Sequence, residues 1–139
     1  MPGNPSAWGC KIWVDYLTGV QLDHTAPRTT YLALLTANFA DDAELAVLPE
    51  LTTPGYARQA VSWTTATNAR PSSASNAAVV TFGPFTNDVT SPITHAALVT
   101  AQTGTSGQVL FKFQLDSPQQ PAAGQALQIA IGKLSITIQ

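Results

Sequence analysis

Charged side chains are scarce in this sequence. Only 10% of its 139 residues are Asp, Glu, Lys or Arg, and the formal net charge is −2. Binding to a phosphate backbone needs clustered Lys and Arg, and the basic residues here form no run, so nucleic acid is not expected as a partner. A chain with so little charge repels its own copies weakly, which favours association. The basic residues are Lys11, Arg28, Arg58, Arg70, Lys112 and Lys133.

Cysteine and long apolar runs are equally rare. With one cysteine, Cys10, the chain can form neither an internal disulfide nor a thiolate zinc site. No stretch approaches the roughly 18 apolar residues of a membrane span, so no membrane partner is expected. The first residues, MPGNPSAWGCK, lack the basic start and apolar core of a secretory signal. These absences favour a soluble protein made in a cytoplasm.

The first element that the sequence does contain is a helix rich in aromatic residues. Ser6 is a suitable N-cap, and Gly19 is a suitable end. An aromatic face of this size either packs on the body of its own chain or docks into a neighbouring subunit, and both alternatives stay open. Its large side chains are Trp8, Ile12 and Tyr16 at a spacing of four, with Trp13 and Leu17 on the neighbouring stripe.

Short strands account for the rest of the chain. Residues 29–36, TTYLALLT, are apolar on both faces, as in a buried strand. Residues 93–101 and 109–115 flank the turn cluster TGTSG and predict a hairpin. Apolar and polar residues alternate in 126–131 and 134–139, and Gly132-Lys133 between them is either a tight turn or a bulge in one long strand. Two further segments, 37–55 and 64–76, read as exposed loops.

About seven short strands and no second helical pattern predict an all-β fold. The expected architecture is an antiparallel β-sandwich of jelly-roll-like type with one short N-terminal helix. By its length the chain is expected to be a single domain. Within it, residues 1–27 would form the helix and an arm, and residues 28–139 would form the sandwich.

The sequence offers little that could perform catalysis. The one local combination of nucleophile, base and acid is Ser91, His95 and Asp88, but it lacks a G-x-S-x-G turn and Pro92 interrupts it. His95 is expected to donate a hydrogen bond within the sheet. The acidic group Asp41-Asp42-x-Glu44 lacks the spacing of a calcium loop and reads as a solvated turn. No catalytic residue, cofactor or metal is therefore predicted.

One basic residue attracts attention because its strand carries little other charge. Arg58 lies between Tyr56 and Trp63, so it could stack on an aromatic ring or form a bidentate pair with a carboxylate across a subunit boundary. The alternative is a solvent-facing residue at a strand edge. The candidate interface residues are Trp8, Ile12, Trp13, Tyr16, Tyr56, Arg58 and Trp63.

The order of these segments resembles a family of small tailed-bacteriophage virion proteins, described as tail fibre or minor capsid (head decoration) proteins. The similarity extends over roughly the whole chain, and GYARQ, residues 55–59, is its most specific part. Between the first strand and that motif the chain departs from the family pattern, with LAVLPELTTP in place of a Gly-rich stretch. The segments that carry the resemblance are YLALLTA, PGYARQAVSW, SNAAVVTFGPF, ITHAALVTAQTGTSGQVLFKFQL and AGQALQIAIGKLSITI.

The resemblance implies a structural protein of the virion, without enzymatic activity, made in the cytoplasm of a host bacterium. Because no repeated shaft is present, the expected role is capsid decoration: a homotrimer that binds the major capsid protein or other virion proteins and stabilises the head. The alternative is a tail fibre or tail-tip module that recognises the host surface. A sugar-binding face of such a module would use Trp63, Asn68, Asn76 and Asn87.

Overall fold

The computed structural model describes residues 1–18 and 29–138, and it forms nine strands and one α-helix. The helix α1 spans Ala7–Thr18, and a short 3-10 helix covers Leu45–Val47. The strands are β1 Pro2–Pro5, β2 Thr30–Leu35, β3 Gln59–Val61, β4 Ser72–Ser75, β5 Val80–Phe82, β6 Ile93–Val99, β7 Val109–Gln119, β8 Leu127–Ile129 and β9 Ser135–Ile138. The prediction of an all-β fold with one short N-terminal helix is confirmed.

Seven of the strands form one sheet in the order β3-β2-β6-β7-β1-β9-β4, and β5 pairs with β8 in a second sheet of two strands. All pairings are antiparallel except the parallel pair of β1 and β9. The two layers are therefore very unequal. The arm before the helix is not loose, because β1 lies inside the large sheet between β7 and β9.

The large sheet curls because one segment bonds to both of its ends. Strand β3 pairs with β2, and the residues that continue from it bond to β4. The amide of Thr64 donates to the carbonyl of Ser75 at 2.8 Å, and the amide of Thr67 donates to that of Ser73 at 3.0 Å. The continuous segment 59–67 thus joins the edge at β2 to the edge at β4.

The central core fills the space between the curled sheet and the β5–β8 pair. The face of β2 that carries Leu32 and Leu34 points into it, as do Phe82 from β5 and Phe113 from β7. The opposite face of β2 carries Leu35, so this strand is buried on both sides, as its sequence predicts.

The acidic loop between β2 and β3 covers that opposite face. Phe39, Leu45 and Leu48 of the loop pack against Leu35, Ala97, Val99 and Val109. The loop is irregular, as expected, but it is also a lid on a second, smaller core. Asp41, Asp42 and Glu44 of the loop are exposed, whereas Phe39, Leu45 and Leu48 are buried.

One local prediction needs correction, and one pair of alternatives is decided. Residues 64–76 contain the strand β4, Ser72–Ser75, where an exposed connection is expected. A run of small polar residues has no apolar alternation to reveal it, and its ladder with β9 is what makes it a strand. The residues Ala130–Lys133 form a tight turn, with Gly132 at φ +78°, but they do not close a hairpin. Strand β8 pairs with β5 whereas β9 pairs with β1 and β4, so the turn passes the chain from one sheet to the other.

Candidate functional site

The helix α1 is fixed to the sheet at its first turn. The hydroxyl of Ser6 accepts the amide of Gly9 at 3.0 Å and donates to the carbonyl of Val109, while the amide of Ser6 donates to the carbonyl of Leu110 at 2.8 Å. Ser6 is 3% exposed, so these bonds form away from water. The predicted N-cap is confirmed, and it also ties the helix to β7.

Glycine within this helix has a packing reason. A Cβ at position 9 would overlap the carbonyl oxygen of Leu110. Glycine in a helix interior costs about 1 kcal/mol relative to alanine, and here it permits a close approach of helix to strand. One face of α1 is thereby pressed against β7.

A different face of α1 carries large apolar side chains into solvent. Trp13 is 45% exposed, Val14 is 56% exposed and Leu17 is 64% exposed. Together with the exposed Cys10 they recur at spacings of three and four, so they form one continuous row, called here the helix stripe. Exposed apolar patches of this kind mark contact surfaces more often than chance.

The aromatic residues of the helix are thus divided between two situations. Trp8 is half-buried, whereas Trp13 lies on the helix stripe. The side chains of Ile12 and Tyr16, also proposed as interface residues, lie outside the described part of the structure. The helix therefore has one half-buried and one exposed tryptophan, and docking into a neighbouring subunit stays a prediction.

Arg58 is at the centre of a buried polar cluster. Its Nε and Nη2 donate to the two oxygens of Glu50 at 2.8 and 2.7 Å, and its Nη1 donates to the carbonyl of Ala101 at 3.0 Å. The hydroxyl of Tyr56 donates to Glu50 Oε1 at 2.7 Å and accepts the amide of Leu34 at 3.1 Å. We call Glu50, Tyr56 and Arg58 the buried triad.

The buried triad corrects the expected position of Arg58. The bidentate carboxylate exists, but it belongs to Glu50 of the same chain, and Arg58 is 8% exposed. Neither a pair across a subunit boundary nor a solvent-facing edge describes this residue. The sequence does hold a signal for the pair: Glu50 is a lone acid between the buried Leu48 and Leu51, and such an acid needs a buried cation.

Burial and the contacts within the triad shift the pKa values of its side chains. Burial acts to raise the pKa of Glu50, but the hydrogen bonds from Arg58 and Tyr56 and the charge of Arg58 outweigh it and lower that pKa below its ordinary value. Burial, together with the bond to Glu50, raises the pKa of Tyr56 above its ordinary value. Both groups therefore keep one protonation state around neutral pH, which suits a structural bond rather than proton transfer.

Trp63 and Asn76 also serve the interior of the fold. The indole N–H of Trp63 donates to the hydroxyl of Thr30 at 3.0 Å, and its ring is partly buried against the central core. Asn76 is fully buried: its Nδ2 donates to the carbonyls of Ala78 and Ala130, and its Oδ1 accepts the amide of Leu134. Asn76 is thus no part of an exposed sugar-binding face, since its amide is saturated by backbone groups.

A groove opens at the far end of β7, where that strand leaves the ladder. Gln114 pairs with His95 and Gln119 pairs with Ile93, so four residues of β7 bulge out opposite Thr94. Between the bulge and β8 lies a space of about 380 Å³, called here the β7–β8 groove. Its walls combine aliphatic and polar side chains: Met1, Leu115, Leu127 and Ile129 with Asp116 and Lys133.

The residues considered for catalysis or metal binding are engaged elsewhere. Asp88 accepts the amide of Ala123 at 2.8 Å, and His95 Nδ1 shares a hydrogen bond with Thr94 at 2.9 Å, so no described bond joins them to Ser91. Asp41 forms an ion pair with Lys112 at 2.9 Å. In the described ranges, no group of three or more His, Cys, Asp or Glu residues is placed to hold a metal ion.

With this geometry in place, comparison with known proteins adds one decisive match. The family described as Podophage GP4 fiber I protein gp80 matches residues 6–137. The chain belongs to this family. The match begins at the helix cap and ends in the last strand, so it includes both the helix stripe and the curled sheet.

Membership of the gp80 fibre family confirms the fibre half of the resemblance and implies a place in the virion. The minor capsid half stays a prediction. No curated protein matches the chain. Over the residues that the structure describes, no helix is long and apolar enough to span a bilayer.

Proposed function

We propose that this chain is a non-catalytic structural subunit of a phage fibre and that it joins the particle through the helix stripe. The observation that carries the proposal is the family match over residues 6–137 combined with the exposure of Trp13, Val14 and Leu17. A fibre subunit works by permanent contact with its neighbours. The chain offers for this purpose an apolar row on a firmly anchored helix.

The side chains of the helix stripe would gain binding free energy if a partner covered them. Burial of apolar surface contributes about 25 cal/mol per Å², and aromatic residues dominate interface energetics. In the isolated chain the stripe residues contribute little to the fold, because water still reaches them. Coverage by a partner would turn the same residues into binding energy.

Location in the particle can be tested by labelling. Antibody against the purified chain, detected with gold in electron micrographs of the phage, should mark the fibres at the tail. Label distributed over the head surface would overturn the fibre role and favour capsid decoration, the competing role for a small β-rich virion protein.

The attachment element can be tested separately. Phage that lack the wild-type gene product would be complemented with Trp13→Asp/Leu17→Asp, or with Val47→Asp as a matched control at an exposed apolar residue that is 68% exposed and does not belong to the helix. We expect the stripe variant to be missing from purified particles and the control to be incorporated. Equal incorporation of both variants would contradict attachment through α1.

Host recognition has less support from the described residues. Of the four residues considered for a sugar-binding face, Asn76 is buried and Trp63 is held by Thr30. The proposed function is therefore limited to assembly.

A further inference from the structure

The geometry points to a second copy of this chain as the occupant of the β7–β8 groove, with the helix stripe of one copy seated in the groove of the next. This inference deepens the proposed function and rests on its claim that the chain works by assembly. It names the partner, the two surfaces and the direction of the contact.

The two surfaces lie near different ends of β7. The helix stripe starts where α1 is bonded to Val109 and Leu110, at the beginning of β7, and the groove lies beside residues 115–119 at its end. At about 3.3 Å per residue, some seven residues of strand place them roughly 20 Å apart. The start of the stripe and the groove are therefore separated within one chain, and the two surfaces can meet between copies that stack end to end.

The helix stripe and the groove also match in shape and polarity. The helix stripe is convex and carries one large aromatic ring, that of Trp13, with Val14 and Leu17 beside it. The groove is concave, with Leu115, Leu127 and Ile129 partly exposed on its walls. Its volume of about 380 Å³ lies within the range of roughly 300–1,000 Å³ that holds ligand-sized groups, so the ring of Trp13 and an aliphatic neighbour fit.

The charges beside the two surfaces are of opposite sign. Lys133 lines the groove, is exposed, and makes no ion pair within the described residues. Beside α1, the exposed acids Asp42 and Glu44 line the depression next to Ala7 and Trp8, together with Lys11 and with Asp41, which pairs with Lys112, so acids outnumber cations there. Seating the stripe in the groove would bring these acids toward the unpaired ammonium. Asp116 also lines the groove, so the charge match is local to Lys133.

A contact between two different surfaces is heterologous, and its consequences differ from those of a symmetric pair. Repetition of such a contact closes into a ring if the rotation allows it, a trimer being one such ring, and otherwise extends as a filament. Each copy uses its stripe once and its groove once. A copy that lacks one surface still retains the other.

The experiment uses two variants of the full chain, each of which removes one surface. Trp13→Asp/Leu17→Asp disables the stripe, and Ala130→Arg obstructs the groove from an exposed position on its wall. Val47→Asp and Ala66→Arg make the same kinds of change at exposed positions outside both surfaces. Circular dichroism and thermal melting establish that all four fold.

Sedimentation and native mass spectrometry then give the masses. We expect the wild type and both controls to associate, each surface variant to be monomeric alone, and an equal mixture of the two surface variants to form a heterodimer and nothing larger. Lys133→Glu should weaken association about three- to tenfold, and Glu44→Lys on the partner copy should restore it.

Several results would overturn the inference. A wild type that stays monomeric at high concentration would do so, as would a mixture that stays monomeric. Assembly of Ala130→Arg like the wild type would indicate contact between two stripes instead. If copies fail to associate while the stripe variant is still absent from particles, the inference falls but the proposed function stands.

Discussion

Apolar side chains usually lie inside a protein and charged side chains outside. The buried triad and the helix stripe depart from this rule in opposite ways. In the triad, charged and polar groups lie inside the protein, where each has a partner. In the stripe, large apolar groups lie outside, where water reaches them. If a partner covers the stripe, as we propose, the two regions serve different equilibria: the triad stabilises the fold, whereas the stripe contributes mainly to assembly.

The largest effect on stability is expected from breaking the triad. Arg58→Ala should lower the free energy of unfolding by about 3–5 kcal/mol, because it leaves Glu50 buried without its cation. Denaturant unfolding followed by circular dichroism measures this loss. The double variant Glu50→Leu/Arg58→Met should be clearly milder, since it removes both charges. If the single variant lost less than 1 kcal/mol, the triad would not be holding the fold.

A somewhat smaller loss is expected at Asn76. Asn76→Ala leaves the carbonyls of Ala78 and Ala130 and the amide of Leu134 without the partner that each has now. Unsatisfied buried groups cost about 1–3 kcal/mol each before relaxation, so we expect a total loss of about 2–4 kcal/mol. Asn68→Ala, at an exposed amide, is the matched control and should stay within about 0.5 kcal/mol. Equal effects of the two substitutions would contradict the assigned role.

Protonation of Glu50 and His95 at acid pH and deprotonation of Tyr56 at alkaline pH should each lower the free energy of unfolding. The pKa of Glu50 is lowered from 4.5, so its contribution is complete above pH 4.5 and is lost as pH falls through its value in the folded protein. The pKa of His95 is lowered from 6.5 by burial and by Lys112, so stability already begins to fall below pH 6.5. The pKa of Tyr56 is raised from 10.0, so its contribution is complete below pH 10 and is lost above it.

Unfolding free energies measured from acid to alkaline pH check these signs. Tyr56→Phe should remove the alkaline decline while the acid decline remains. An unchanged alkaline decline in that variant would show that another group causes it.

The smallest effect on stability is expected at the stripe. Trp13→Asp should lower the free energy of unfolding by about 1–2 kcal/mol, because the residue is 45% exposed in the isolated chain and loses only part of the burial of a core tryptophan. The same substitution should abolish association, as seen by sedimentation. A loss of stability as large as that of Arg58→Ala would mean that Trp13 belongs to the core, and the contrast between the two regions would disappear.

Periodicity predicted the parts of the fold that depend on local pattern. The helix is read from Ser6 and the aromatic spacing, and β2, the β6–β7 hairpin and the alternating C-terminal segments are read from apolar residues. Strands without such a pattern were missed: β1 contains two prolines and β4 is SSAS, and both exist because neighbouring strands bond to them.

Long-range pairing explains what could not be predicted at the site. The low charge of its strand marks Arg58 as unusual, and the apolar neighbours of Glu50 mark that acid as unusual, but neither pattern says that the two residues pair with each other. The groove depends on a bulge in β7 that the alternating residues do not reveal. The exposure of Trp13 also depends on how α1 lies on β7, which the aromatic spacing does not reveal.

The central claim is that a partner covers the helix stripe in the assembled particle, and the single cysteine provides a direct probe of it. Cys10 lies on the stripe and is exposed in the isolated chain. The rate at which a thiol reagent labels Cys10 would be measured in purified protein diluted until sedimentation shows a monomer, in intact phage and in phage disrupted by denaturant. We predict rapid labelling of the free chain and of disrupted phage and strong protection in intact particles. Equal labelling of the free chain and of intact phage would contradict the account.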